Sequence, residues 1–403
     1  MARILVTDAH LASALAVIRS LGRQGHHVIA GSSQRTSPGF FSRWAGERVR
    51  YPDPALDPAT AAAALLKVVG ERAVELVIPV TDETILALSL QRDRIEELCP
   101  VALPGADALA VARDKWSTLA LARRLCVPTP PSALIATAAE AEQVTSDFRW
   151  PIVIKPLASR VVNRRGSIER LGVAYASSAA ELAYHMRKLE GLCPAILQEY
   201  TAGTGVGVEV LAWKGEVLVA FQHRRLREVP ITGGASSFRE SVALDPVLLD
   251  HTSRLLQELE WTGLAMIEFK AGACGPTLME INGRIWGSLP LAVKSGIDFP
   301  ALLAERYLSP HPAESEVRQF LYKLGVRSRH LELELVWVAS VLRGARRYPF
   351  LPQPSRAEAA RVALRLLSPA DGFDVASGAD PVPGLIDAGR VGVRLLRKAA
   401  REA

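Results

Sequence analysis

The sequence predicts an α/β domain followed by α+β lobes and a helical C-terminal extension. Three observations carry this. Over about residues 1–105, short apolar strand patterns alternate with helical ones, the signature of an open α/β unit. In the middle of the chain, strand patterns meet across turn-forming residues, as hairpins do. Beyond about Pro310 the pattern turns helical, broken by prolines at 349, 352, 354, 369, 381 and 383. At 403 residues the chain exceeds one typical core, so roughly two to four domains or subdomains are expected.

Composition narrows the class. With 49% hydrophobic and 22% charged residues the chain is a folding one, not a disordered one. The net charge is +6, and only nine of the 48 cations are lysines. Anionic substrates suit this balance. Without a basic block interleaved with aromatics, nucleic acid is not expected. Four scattered cysteines form no CxxC spacing and read as buried thiols of a reduced cytoplasmic protein. No apolar run approaches the ~18–20 residues that span a bilayer, and an acid at Asp8 interrupts any signal-peptide core.

In order along the chain, residues 3–8 form a buried parallel strand, a helix covers roughly 10–24, and strands follow near His27–Ala30 and Glu75–Val80. A helix then starts near Asp82. The turn after the first strand, Thr7-Asp8-Ala9-His10-Leu11-Ala12-Ser13, has no glycine, so a Rossmann dinucleotide site is rejected. The domain serves as scaffold or substrate wall. Ala112-Arg113-Asp114-Lys115-Trp116 opens a helix that ends near Cys126 and is stopped by Val127-Pro128-Thr129-Pro130-Pro131-Ser132. Trp150–Pro156 is a strand ending on Lys155, followed by an arginine-rich loop from Ser159-Arg160 to Ser167. Ala195–Tyr200 is a strand, and Thr201–Gly205 a flexible connector. Val206–Ala212 and Glu216–Gln222 pair across Trp213-Lys214-Gly215; Asp245–Glu260 is helical. No internal repeat is present.

The most informative stretch is the pair Ala265–Phe269 and Thr277–Ile281, joined by Gly272-Ala273-Cys274-Gly275-Pro276. As a hairpin it could bring Glu268 and Glu280 to one face, with Asn282 two residues on pointing the same way. Such hard oxygen donors suit Mg²⁺ bridging phosphates; the alternative is two surface glutamates. Lys155 could meet phosphate oxygens or be an ordinary strand-end lysine. Lys115 lies in a helix's first turn, slightly against the macrodipole, which argues for another role. Glu199-Tyr200 precedes a hinge where a base could bond to backbone, or is a half-buried glutamate before a turn. His223-Arg224-Arg225-Leu226-Arg227-Glu228 puts Arg224 and Arg225 on opposite faces if extended, so one could face a site, as a bidentate grip on carboxylate or phosphate. No Ser-His-Asp, Cys-His or metal-type histidine arrangement emerges.

Taken in order, Asp114-Lys115, Val127-Pro128-Thr129-Pro130, Ile154-Lys155-Pro156, Gln198-Glu199-Tyr200, Glu268 and Glu280-x-Asn282-x-Arg284 resemble the ATP-grasp enzymes, over about residues 3–308. The resemblance implies an N-terminal α/β domain (1–110), a small lobe with its linker helix (111–203), a large lobe with the metal site (204–308) and a helical extension (309–403). It implies that Lys115 and Lys155 meet ATP phosphates, with Ser159 and Arg160 in the loop covering them. That loop is poorer in glycine and serine than the family's, so Arg160 or Arg164 would supplement the lysine. Gln198, Glu199, Tyr200 and Thr201 match the segment that meets adenine, and Glu209 is the candidate for the ribose-contacting acid. Glu268, Glu280 and Asn282 match the ligands of Mg²⁺ (or Mn²⁺). Arg284 matches the arginine that contacts the reacting anion, with Arg225 as second candidate.

The implied activity is an ADP-forming ligase that activates a small-molecule carboxylate as an acyl phosphate and joins it to an amine. A phosphotransferase or carboxylase is the runner-up, and a non-catalytic ATP-binding regulator the third reading. The basic amphipathic stretch Val391–Arg401 fits a lipid surface, although a terminal helix docked on its own chain is the expectation. Oligomeric state is not legible.

Overall fold

In the computed structural model, the described residues are 1–157, 160–162, 168–273, 275–309, 321–344, 350–351, 353–366, 368 and 371–402. They form two compact units: Met1–Gly105 with Gly207–Met266 and Asn282–Ala403, and Ala106–Val206 with Ile267–Ile281.

In the first unit, a four-stranded parallel sheet runs in the order Glu47–Arg50, His27–Ser32, Arg3–Val6, Leu76–Ile78. Ile4 pairs with Val28 on one side and Leu76 on the other. Ile4, Leu5 and Val6 have no exposed surface, as expected where a parallel sheet is covered on both faces. The helix Pro58–Glu71 starts with proline at its first position and Asp57 accepting from Thr60 N–H at 3.0 Å. The helix Asp82–Ser89 is capped by Thr81.

A seven-stranded sheet runs Gly275–Asn282, Gly263–Gly272, Thr204–Trp213, Glu216–Val229, Ala235–Val242, Arg327–Arg329 and Gly372–Phe373, in that order; Ile267–Ile281 of its first two strands are counted with the second unit. Lys214 and Gly215 both have positive φ, 50° and 86°, the two-residue turn whose twist matches the strands it joins. The unit's main core includes Val17, Leu21, Phe221, Met266 and Leu289, with Trp286 and Phe299, whose rings meet edge-on with centroids 5.4 Å apart; a smaller cluster in the tail holds Trp337, Val341 and Val362.

The tail is not wholly helical. Besides the helices Leu331–Arg343, Arg356–Arg365 and Val382–Glu402, it contributes the last two strands of this sheet, with Phe238 opposite Arg329 and Ser328 opposite Gly372. Strands of three and two residues are too short for periodicity to register. Buried ion pairs bind the tail. Arg239 bonds to Asp374, and Arg329 to Asp371. Arg19 donates to Asp380 at 2.9 Å, and Ser42 adds a bond to the same carboxylate at 2.7 Å. The Phe238 ring lies between the guanidinium groups of Arg227 and Arg329, each 4.5 Å from its centroid. No helix among the described residues is long and apolar enough to cross a membrane.

In the second unit an antiparallel sheet runs Ser132–Ile135, Ala195–Glu199, Ile152–Pro156, Ala174–Ala176. Ile152, Ile154, Ala195 and Leu197 form its core with Leu182 and Met186 of the helix Ala179–Leu189. The helix expected to open within Ala112–Trp116 and end near Cys126 is present as Lys115–Arg124, with a separate helix before it. Ala106–Arg113 ends, and Lys115–Arg124 begins afresh with Asp114 accepting from Ser117 N–H at 2.6 Å. The cap residue breaks the run. Cys126, at φ 53°, closes that second helix, with Val127 N–H bonded to Ala122 O and Cys126 N–H to Arg123 O, a Schellman end. Cys126 is exposed and Cys193 half-buried; among the described cysteines Cys99 is the buried one, its pKa pushed up to about 11 by desolvation, and Cys274 lies outside the described residues. The stretch read as an arginine-rich loop is a β-hairpin at its ends, Arg160–Val162 against Ile168–Arg170.

Candidate functional site

The second unit holds most of the expected nucleotide residues. The strand Ile152–Pro156 buries Ile152, Val153 and Ile154 and leaves Lys155 half-buried. Desolvation lowers the Lys155 pKa most. Glu280 raises it, Lys115 lowers it, Glu268 raises it and Lys270 lowers it. Those five side chains therefore share one electrostatic field, although they come from a helix start and three strands. Lys115 is the first residue of its helix because Asp114 takes the cap. Leu278 N–H bonds to Pro128 O at 2.8 Å, tying the strand Gly275–Asn282 to the proline segment. Lys270 was missed in the sequence; alternation along Gly263–Gly272 puts it on the Glu268 side.

The hinge segment is partly committed to its own unit. Glu199 N–H bonds to Pro131 O and Tyr200 N–H to Pro151 O, both at 3.0 Å. Gln198 is buried and donates to Ser132 Oγ at 3.0 Å, while the Glu199 carboxylate accepts from Arg149 N–H at 2.8 Å. Gly203, at φ 146°, has Ala271 O only 2.6 Å from where a Cβ would stand, so the connector requires glycine there. Ser159 and Arg164 lie outside the described residues. Arg160 lies in its strand, and its side chain is likewise outside them.

The first unit holds the remaining candidates. Asn282 is 9% exposed at the end of its strand, and period two sets it on the same side as Glu280. Arg284 Nε donates to Asp82 Oδ2 at 2.8 Å and Nη1 to Ile285 O at 3.2 Å. Asp82 opens a helix of the N-terminal sheet and was not singled out as a site residue; nothing local in the sequence marks it as a partner of Arg284. Arg224 binds Glu240, whereas Arg225 Nη1 binds Glu228 Oε1 and Gly234 O at 3.0 Å each. The two arginines thus part as the strand period requires.

Glu209 differs from expectation. It has no exposed surface, its Oε1 accepts from Ser288 Oγ at 2.6 Å, and His223 Nδ1 stands 3.0 Å away. A carboxylate sealed in this core is a packing group, not one that reaches a ribose. Desolvation lowers the His223 pKa against the pull of Glu209.

Among the described residues no group of three or more His, Cys, Asp or Glu side chains is arranged so as to hold a metal ion. The expected metal donors are two carboxylates and an amide, hard oxygens that fit Mg²⁺ and not a soft-ligand metal.

Residues 192–328 match the family described as ATP-grasp in the biosynthetic pathway with Ter operon. The chain is 24% identical over 219 residues to the carbamoyl phosphate synthase large chain of Thermomicrobium roseum, covering 52% of this chain and 19% of that protein. It thus spans about a fifth of that curated relative's length. Among solved structures, the biotin carboxylase–β,γ-ATP complex from Campylobacter jejuni superposes with a TM-score of 0.65 at 16% identity, over 81% of this chain and 74% of that one. The L-amino acid ligase from Bacillus licheniformis does so with a TM-score of 0.58 at 19% identity, over 78% and 76%. By sequence match over residues 192–328 and by architecture over 81% of its length, this chain has the ATP-grasp fold.

Proposed function

We propose that the protein is an ADP-forming carboxylate–amine ligase. The observation that carries the reading is the shared field of Lys115, Lys155, Glu268 and Glu280, the charge pattern a metal-bound triphosphate would complete. Lys115 and Lys155 would pair with phosphate oxygens, and Lys155, its charge made costly by desolvation, gains most from an anion. Glu268, Glu280 and Asn282 would hold Mg²⁺, which when bound supplies charge neutralisation across the phosphates. With the N–H groups of Glu199 and Tyr200 bonded to Pro131 O and Pro151 O, the adenine would be met by other groups of the segment Gln198–Thr201.

A substrate carboxylate oxygen would attack the γ-phosphorus, breaking its bond to the β-bridging oxygen and releasing ADP. An amine nitrogen would then attack the acyl carbon of the acyl phosphate, expelling phosphate and losing a proton to solvent. Arg284, with Arg225 as second candidate, would hold the carboxylate. The test is ADP release from MgATP against a panel of carboxylates and amines, with products weighed by mass spectrometry. Glu280→Gln is expected to lower turnover by at least ~100-fold, within the range for removing charge stabilisation, with an unchanged unfolding transition. Normal turnover in that variant would overturn the assignment.

A further inference from the structure

The parallel sheet has a switch point. From Arg3–Val6 the chain moves to one side, through His27–Ser32 and Glu47–Arg50, then returns to the other side as Leu76–Ile78. In open α/β sheets ligands bind outside the carboxyl ends of the strands at such a point. Two turns stand there, Thr7–His10 and Thr81–Glu83.

The first is rigid. Asp8, at φ 57°, accepts from Thr7 Oγ1 at 2.8 Å, Thr84 Oγ1 at 3.0 Å, Tyr51 Oη at 3.1 Å and Thr81 N–H at 3.2 Å. Its carboxylate is fully committed to the scaffold. Asp82, on the second turn, is not. Its Oδ2 meets Arg284 Nε, the two side chains are 49% and 31% exposed, and among the described residues neither Asp82 Oδ1 nor Arg284 Nη2 has a recorded partner. So exposed a pair contributes little to stability. It offers one acceptor oxygen, Asp82 Oδ1, and one guanidinium nitrogen, Arg284 Nη2, side by side, at the place where the fold puts ligands.

We infer that the Asp82–Arg284 pair recognises a zwitterionic α-amino acid, its ammonium on Asp82 and its carboxylate on Arg284. The inference rests on the ligase reading and sharpens it. An ammonium held by Asp82 stays protonated and cannot act as nucleophile, so the amino acid enters as the acyl donor. Its carboxylate oxygen takes the γ-phosphoryl group, and the amine that displaces phosphate belongs to a second molecule.

Hydroxylamine can replace that unknown amine, turning an acyl phosphate into a hydroxamate and phosphate. The full-length protein, MgATP and hydroxylamine would be incubated with each of the common α-amino acids and with its N-acetyl form. Hydroxamate from free amino acids but not from their N-acetyl forms is expected. Equal yield from N-acetyl forms, or hydroxamate only from carboxylates without an amino group, overturns the inference and leaves the ligase reading standing. MgATP binding with no carboxylate-stimulated ADP release overturns both. Asp82→Asn is expected to raise the KM of the amino acid about 10- to 100-fold, the scale of one charge-assisted hydrogen bond, leaving the KM of MgATP unchanged. Asp82→Glu should recover part of the loss. A purely structural role would instead move both KM values together.

Discussion

Lys155 and His223 are both titratable strand residues whose charge desolvation disfavours, yet they do opposite things. Lys155 feels two glutamates and two further lysines; His223 is sealed in the core beside Glu209. Desolvation, the largest cause, with Arg225 and Arg239, holds the His223 pKa below its ordinary 6.5, so the folded protein keeps it neutral. The unfolded chain takes up a proton there as pH falls through about 6.5, and stability is lost below that pH. The midpoint of urea unfolding should therefore fall between pH 7 and 5.5 more in the wild type than in His223→Asn. Equal slopes would refute the assignment. Lys155, Glu268 and Glu280 stand out in the sequence as candidates because strand alternation and a turn suggest where each points. Glu209 was not, since an acid in an apolar strand looks the same whether it faces a ligand or a buried histidine.

Among elements, the hairpin Thr204–Trp213 to Glu216–Val229 shows how narrowly a turn is specified. Gly215 needs φ 86°, and a Cβ there would lie 2.9 Å from Gln257 Cα on the helix Pro246–Glu258. Gly215→Ala should cost about 1–3 kcal/mol from left-handed strain and the clash together, read as a lower unfolding midpoint. The sequence showed this turn because glycine followed a strand pattern. The hairpin of Arg160–Val162 was hidden because three-residue strands leave no period to count.

For the whole molecule, the tail is a structural partner of the sheet. Arg239 is 2% exposed and Asp374 5% exposed, so Asp374→Asn strands a buried guanidinium and should cost about 3–5 kcal/mol. Replacing both, Arg239→Met with Asp374→Leu, should cost less than the single change, because it removes both buried charges; urea unfolding of the two variants gives the comparison. The acids that serve these arginines lie in a short segment among prolines and looked like loop residues, which is why the extension read as helices alone. The separation matters during synthesis as well. Arg239 and Asp374 are 135 residues apart, and at ribosomal rates of roughly 5–20 residues per second the arginine waits about 7–27 s for its counter-ion to be made. The first unit therefore cannot settle into its final packing while the chain is still growing past residue 370. A nascent chain stalled short of that point carries an open sheet edge and uncompensated charge, the state that chaperones hold.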